Sequence, residues 1–136
     1  MTTTLNDLQS EFLKSHRLGV LATSRRSGAP QVSIIAYNYD GNDVVISTGD
    51  QSAKYKNANK RPEVSLIVTD GPKAVTVYGT ASIVRGAEAQ ALRDQRLQLA
   101  RPAGTPAQPA RALPNRGERV IIRFTPAKAF SNRLED

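Results

Sequence analysis

The chain has 136 residues, with 19 Lys and Arg against 12 Asp and Glu, a formal net charge of +7, one histidine and no cysteine. This composition excludes disulfides, thiolate metal sites and cysteine nucleophiles, gives metal chemistry little support, and favours an anionic ligand. Every apolar run is far shorter than the ~20 residues that span a bilayer, and the N-terminus does not resemble a secretory signal. We therefore expect a single cytoplasmic domain over residues 1–136 that does not bind a membrane.

The first predicted element is a helix over about residues 5–15. Its apolar residues at helical spacing are Leu5, Leu8, Phe12 and Leu13. Thr4 stands three residues ahead of Asp7, which is the spacing of a capping box. His16 follows near the end of the helix, where we expect a solvated or capping role rather than catalysis.

Three strands joined by glycine turns follow this helix. They are predicted from residue 18, over residues 31–39 and from residue 44, with turns at Ser27-Gly28 and Asp40-Gly41. Connections this short indicate antiparallel hairpins.

The remainder of the chain is predicted as two helices, three strands and one irregular segment. A helix rich in Lys and Asn spans about residues 52–60 and ends at Arg61-Pro62. The later elements are a strand over 63–69, a strand over 74–84 with a bend at Gly79, a helix over 86–100 and a strand over 119–125. Residues 101–116 carry half of the eight prolines, and we expect them to form a flexible loop, a lid or a disordered insertion.

The order of these elements indicates a mainly β fold. Six predicted strands with tight turns and three peripheral helices, in a chain this small, favour a closed or nearly closed antiparallel β-barrel. Closure would also remove unpaired strand edges.

A candidate anion site lies where the third strand meets the second helix. Ser47, Thr48 and Gly49 end the strand, and Lys54 and Lys56 stand in the following helix. Hydroxyls, N–H groups at a helix start and a lysine in the first turn are the groups that bind a phosphate. The two lysines are two residues apart and cannot share a helix face, so we favour Lys54. The alternative is that the Ser and Thr residues are ordinary turn chemistry.

The chain resembles the flavin- and deazaflavin-binding split β-barrel superfamily, which includes pyridoxamine 5′-phosphate oxidase and the F420-dependent reductases. The stretches that carry the resemblance are residues 19–23, 28–33, 46–49, 54–57, 61–66 and 77–81. The resemblance implies a six-stranded antiparallel split β-barrel and a homodimer with two equivalent cofactor sites at the subunit interface. Two residues before Lys54, where many relatives carry an arginine, this chain has Ser52.

The resemblance also implies where the cofactor lies. The ring system would follow residues 32–37, and the phosphate would sit near residues 47–57. The candidate cofactor-binding residues are Ser33, Ile34, Ile35, Ser47, Thr48, Gly49, Ser52, Lys54, Lys56 and Asn57. The alternative for Ile34 and Ile35 is that they are simply barrel residues.

No catalytic side chain is predicted, because a flavin or deazaflavin performs the hydride chemistry itself. FMN ends in one phosphate, whereas F420 continues into an oligoglutamate tail that basic residues near the site would complement. Those basic residues are Arg25, Arg26, Lys56, Lys60 and Arg61. We therefore favour an F420-dependent oxidoreductase that transfers a hydride between the deazaflavin and a small unsaturated or quinone-like molecule.

Three alternatives stay open at this point. Two of them keep the same fold: the first is an FMN-binding flavoprotein similar to pyridoxamine 5′-phosphate oxidase, and the second is a noncatalytic flavin or deazaflavin carrier. The third is a small basic barrel that binds nucleic acid. Such proteins place aromatic side chains on the binding face for base stacking, and only 5% of this chain is aromatic. We therefore expect no nucleic-acid partner.

Overall fold

The computed structural model describes residues 4–100 and 117–135, without the side chains of residues 96–100. The irregular segment predicted over residues 101–116 lies outside the described residues. The helices are α1 (Asp7–Ser15), α2 (Ala53–Lys60) and α3 (Gly86–Ala100). The strands are β1 (Leu18–Ser24), β2 (Pro30–Ala36), β3 (Asn38–Tyr39), β4 (Val44–Gly49), β5 (Glu63–Asp70), β6 (Lys73–Thr80), β7 (Ser82–Val84), β8 (Arg119–Phe124) and β9 (Lys128–Asn132).

The strands form two antiparallel sheets around a shared core. One sheet has the order β2-β1-β5-β6-β9, and the other has the order β3-β4-β8-β7. The core takes buried side chains from both sheets, among them Leu21, Leu66 and Val77 from the first and Ile46 and Ile122 from the second. The mainly β, antiparallel fold is therefore confirmed, and it consists of two hydrogen-bonded sheets rather than one continuous ladder.

The predicted number of six strands is wrong, because the described residues contain nine. Two of the predicted strands, 31–39 and 74–84, each divide between the two sheets, at Tyr37 and at Ala81. β9 was not predicted at all. Alternation of apolar residues continues through the two divisions, so a period-2 pattern alone does not reveal where a strand leaves one sheet for the other.

Gly79 does not mark the bend that the sequence predicted. The break comes two residues later at Ala81, whose N–H donates to the carbonyl of Pro62 at 2.7 Å. A Cβ at position 79 would lie 2.6 Å from Phe124 Cδ2 and 2.8 Å from the carbonyl oxygen of Thr125. Glycine is therefore needed here because β6 packs closely against the end of β8.

Helix α1 begins with a capping box, but not the one that the sequence predicted. Asn6 and Gln9 form it, since Gln9 N–H donates to Asn6 Oδ1 at 2.8 Å and Asn6 N–H donates to Gln9 Oε1 at 3.0 Å. The prediction of Thr4 and Asp7 is therefore wrong. His16 is the C-cap of the helix, with Nδ1 2.7 Å from the carbonyl of Phe12, which confirms the expected capping role. Among the helices of residues 4–100, none is long and apolar enough to cross a membrane.

Candidate functional site

The start of α2 is built by hydroxyl groups from the preceding strand and loop. Ser52 is the N-cap, and its Oγ accepts hydrogen bonds from the N–H of Tyr55 at 3.2 Å and from Thr48 Oγ1 at 2.9 Å. Ser52 therefore accepts twice and keeps its own O–H to donate to another group. The first turn of α2 contains no acidic residue. No carboxylate in that turn neutralises the positive end of the helix dipole, so binding of an anion at the start of α2 is favoured.

A second set of contacts fixes the loop that leads into α2. The backbone N–H of Asp50 donates to the carbonyl of Glu118 at 2.8 Å, and Glu118 N–H donates back to Asp50 Oδ1 at 3.1 Å. Gly117, with φ +74°, permits this approach, because a Cβ there would lie 1.9 Å from Asp50 Oδ1. The loop is therefore tied to the beginning of β8 rather than hanging free in solvent.

Arg85 adds a cation on the other side of this loop. Its NH1 lies 3.9 Å from Asp50 Oδ2, its Cζ lies 5.1 Å from the ring centre of Tyr55, and its NH2 donates to the Tyr55 hydroxyl. The only carboxylate within the β4–α2 connection, that of Asp50, thus has a cationic partner. This pairing reduces the repulsion that an anion at the start of α2 would meet.

Asn57 lies at the buried side of α2 and connects the helix to the β1–β2 hairpin. Its side chain is 9% exposed, and Nδ2 donates to Gln31 Oε1 at 2.7 Å and to Thr23 Oγ1 at 3.2 Å. Arg61 NH2 lies 3.4 Å from Asn57 Oδ1, and Arg61 Nε donates to the carbonyl of Ser24 at 2.7 Å. The predicted site residue Asn57 is therefore held in an internal polar network.

The basic residues of α2 and of the β1–β2 turn, which we call the basic rim, extend along the helix to its C-terminal end. Arg61 contacts the backbone next to Arg25, so the turn is attached to the C-terminal end of α2. Arg25, Arg26, Lys56 and Lys60 are exposed, whereas Lys54 is partly buried. The structure thus places Lys54 and Lys56 in different environments, as their spacing predicted.

The outer face of the five-stranded sheet is unusually apolar. Its large exposed hydrophobic side chains are Leu18, Val32, Ile34, Tyr78 and Phe130. Val32 is 65% exposed and Ile34 is 77% exposed, and both stand on the strand β2. Ile35 points the other way and packs in the core, whereas Ser33, on that same inner side, is partly buried. Of the predicted ring contacts, only Ile34 offers its side chain on this outer face.

A groove of about 430 Å³ lies beside the apolar face, between the β1–β2 hairpin and the ends of β5 and β6. Small residues form its floor, including Ala22, Ser65 and Gly79, while Pro30 and Tyr78 also line it. Glu63 is the one acidic residue among its lining residues. None of the ten predicted site residues lines the groove, although Thr23, the partner of Asn57, does.

Two further predicted residues, Ser47 and Gly49, lie on β4, the strand that precedes α2. Ser47 lies on the same face of β4 as Val45, which belongs with Ala89 of α3 and Ile121 to a second, smaller core cluster. Its Oγ is buried and has no hydrogen-bond partner within the described part of the chain. Gly49 is buried opposite Arg119, and its carbonyl accepts the N–H of Ser52 at 3.1 Å. Gly49 therefore contributes to the site through its backbone.

Several residues of this region were not singled out from the sequence. Gln31, Thr23, Tyr55 and Arg85 join the site only through contacts between residues 26 to 34 positions apart. One contact of this network could have been predicted locally: Asn57 and Arg61 are four residues apart on the helix, so their side chains lie on the same face and can contact each other. Across the described ranges, no group of three His, Asp or Glu residues could hold a metal ion.

Comparison with known proteins agrees with this architecture. Two antiparallel sheets around a shared core, with a capped helix connecting a strand of one sheet to a strand of the other, define a class of small split-barrel proteins. A family model described as pyridoxamine 5′-phosphate oxidase matches residues 5–133. The chain belongs to the pyridoxamine 5′-phosphate oxidase family. This family binds flavin-type cofactors such as FMN and includes oxidoreductases.

Solved structures with the same fold include three that cover most of this chain. An F420 reductase is 24% identical, with a TM-score of 0.75 over 93% of this chain and 98% of its own. A conserved hypothetical protein from Mycobacterium tuberculosis is 21% identical, with a TM-score of 0.68 over 98% and 89%. General Stress Protein 26 from Bacillus anthracis is 21% identical, with a TM-score of 0.66 over 91% of each chain. At these identities the likeness establishes the shared fold.

Proposed function

We propose that this protein is an oxidoreductase that uses the deazaflavin F420 and acts on a small unsaturated or quinone-like organic molecule. The observation that carries the proposal is the start of α2, where a serine cap, a lysine in the first turn and the absence of an acidic residue in that turn suit a phosphate. When bound, the deazaflavin supplies the hydride chemistry. The fold neighbour that is an F420 reductase is a precedent for this use of the fold.

The phosphate-binding role falls to Ser52 and Lys54. The Ser52 hydroxyl accepts hydrogen bonds from Thr48 Oγ1 and from the Tyr55 N–H, so its own proton is available to donate to a phosphate oxygen. An ammonium group in the first helical turn adds a full charge to the helix dipole. Gly49 and Thr48 hold the cap in place. Ile35 packs in the core, and Ser47 lies on the same face of β4 as Val45 of the second core cluster, so both act in this proposal as barrel residues.

The ring-binding role falls to the outer face of β2. Val32 and Ile34 present branched apolar side chains to solvent, which is the surface that a flat aromatic ring covers favourably. The backbone of Ser33 between them borders the same surface. The strand β2 is at the edge of its sheet, and Gln31 on its inner side bonds Asn57 of α2, so α2 lies beside the strand that carries this outer face.

The preference for F420 over FMN comes from the basic rim. Arg25, Arg26, Lys56 and Lys60 are exposed around the hairpin turn and α2, and an oligoglutamate tail carries several carboxylates for them to attract. The single phosphate of FMN would use only the start of α2. That same observation keeps an FMN-dependent flavoprotein as the second candidate, since the capped helix suits either phosphate.

We also propose that the active form is a homodimer. The exposed hydrophobic side chains of the outer face form two groups on the same side of the sheet: Leu18, Val32 and Ile34 on the paired strands β1 and β2, and Tyr78 and Phe130 on the paired strands β6 and β9. Exposed apolar surface of this kind is typical of an interface. A second copy of the chain is the occupant that we propose, because the same patch on both partners makes a self-complementary contact. The groove beside β1 and β6 would then be closed by the partner and would take the small-molecule substrate.

The decisive experiment is a titration of the purified protein with F420, FMN and FAD, followed by fluorescence. We expect F420 to bind most tightly. Tighter binding of FMN would replace the proposal by its second candidate, and failure of all three cofactors to bind would refute both. A second assay then separates an enzyme from a carrier: reduced F420 is mixed with the protein and each of a panel of enones and quinones. An enzyme would oxidise the reduced F420 with at least one of these acceptors, whereas a carrier would bind the cofactor tightly and catalyse its oxidation by none of them.

A further inference from the structure

We infer that Asn57 is a positioning residue that sets the distance between the phosphate-binding start of α2 and the ring-binding face of β2. The inference rests on the proposed function, and it assigns Asn57 a role other than direct contact with the cofactor. Both N–H groups of its amide are used internally, one by Gln31 at 2.7 Å and the other by Thr23 at 3.2 Å. Its Oδ1 lies 3.4 Å from Arg61 NH2. An amide has two N–H donors, so none is left for a ligand.

The network has an unusual chemical character for a helix-to-sheet contact. An apolar side chain at position 57 would also attach α2 to the barrel, as Ala58 does with 1% exposure. A buried amide costs stability unless its hydrogen bonds are complete, and complete bonds allow one relative position of the two elements. The polar network therefore attaches α2 to the barrel, as an apolar contact would, and also fixes the position of α2 relative to the β1–β2 hairpin.

The position of the network explains why this specification matters. Asn57 is three residues after Lys54, so the two lie on the same side of the helix. The hydrogen bonds that fix the orientation of α2 at Asn57 therefore also fix the orientation of Lys54. Gln31 directly precedes Val32, whose side chain is part of the outer face. One hydrogen bond thus joins the element that holds the phosphate to the strand that holds the ring. A ligand that contacts both ends at once gains affinity only when their separation is correct.

The test compares a two-ended ligand with a one-ended ligand. The two-ended ligand is F420, and the one-ended ligand is its riboside, which has the same ring but lacks the phosphate and the tail. Dissociation constants are measured by fluorescence for wild type, Asn57→Leu, Gln31→Leu and the double variant. Asn59→Leu is the control, because Asn59 is an exposed asparagine on the same helix. Circular dichroism and the melting temperature show that each variant is folded.

We expect each single variant to raise the dissociation constant for F420 by about tenfold, because the displaced helix would lose about one charged contact with the phosphate. The riboside should change by less than about twofold in both, and Asn59→Leu should leave both ligands unaffected. The double variant should bind F420 no more weakly than the worse single variant, because both changes break the same bond. If Asn57→Leu does not fold, Gln31→Leu alone carries the test.

Each other outcome overturns the inference in a recognisable way. If Asn57 contacted the phosphate directly, Asn57→Leu would weaken F420 and Gln31→Leu would not. If the network served only stability, F420 and the riboside would weaken by the same factor or not at all. If wild type bound neither F420 nor FMN, the proposed function itself would fail, and the inference would fall with it.

Discussion

The hydroxyl of Tyr37 donates a hydrogen bond of 2.7 Å to the carbonyl of Leu13, at the point where the chain leaves the five-stranded sheet. Both residues are completely buried. The backbone N–H of Tyr37 also donates to the carbonyl of Arg17 at 2.9 Å. This corner therefore connects α1 to the turning point between β2 and β3, and it is one of the two places where a strand predicted from the sequence divides between the sheets.

Replacing Tyr37 by Phe should lower the free energy of unfolding by about 1–2 kcal/mol, because the carbonyl of Leu13 loses its buried donor. Urea denaturation measures this change. Tyr78→Phe is the matched control, since Tyr78 is 42% exposed and its hydroxyl can bond water. An equal effect of the two substitutions would show that the Leu13 contact does not contribute.

Tyr37 should also make the protein less stable at high pH. Burial raises the pKa of the Tyr37 phenol, an effect that the nearby Arg17 cation partly opposes. Above a pH of about 10 the unfolded chain loses the tyrosine proton while the folded chain keeps it. The unfolded state then binds fewer protons, so stability falls as the pH rises. Denaturation between pH 9 and about 11 should show a shallower decline for Tyr37→Phe than for wild type; parallel curves would contradict this assignment.

Ser52→Asp should separate the cap of α2 from its anion-binding role. Aspartate caps helices about as well as serine and its charge favours a helix N-terminus, so the melting temperature should be unchanged or slightly higher. The same carboxylate repels a phosphate, and affinity for the preferred cofactor should fall at least about tenfold. Ser52→Ala is the complementary variant, which should cost about 1 kcal/mol of stability. Cofactor binding by Ser52→Asp at the strength of wild type would place the phosphate elsewhere.

Lys54→Ala should weaken binding of the preferred cofactor by about 1–3 kcal/mol, because it removes the ammonium group that we propose contacts the phosphate. The difference should shrink as salt is added. Lys56→Ala removes the same charge from an exposed position of the same helix and should change affinity by less than about threefold. Fluorescence titrations at two salt concentrations provide the measurement, and an unaltered dissociation constant for Lys54→Ala would refute its role.

Ile34→Arg should convert the proposed dimer to a monomer. Ile34 is 77% exposed in the chain, so the substitution leaves the core of the subunit intact while placing a charge in the apolar patch. Leu8→Arg is the control, because Leu8 is an exposed hydrophobic residue on α1, away from that sheet face. Size-exclusion chromatography with light scattering reports the mass. A wild-type monomer, or an Ile34→Arg dimer, would be incompatible with the proposed interface.

The features that depend on neighbouring residues could be predicted from the amino-acid sequence. Alternation of apolar residues and glycine turns predicted the main strands, and the composition of residues 5–15, 52–60 and 86–100 predicted the three helices. The sequence also predicted that Lys54 and Lys56 would differ, since residues two apart on a helix face different ways. Each of these follows from local backbone geometry, which a short stretch of sequence specifies.

The tertiary structure alone decided which distant residues meet. Three features arise from contacts between residues far apart in the chain. They are the division of two strands between the sheets, the need for glycine at position 79 and the internal hydrogen bonding of Asn57. Asn57 and Gln31 are separated by 26 residues, and Arg85 and Tyr55 by 30. Such pairs come together only when the sheets fold over a common core, because packing and not local propensity brings them within hydrogen-bond distance.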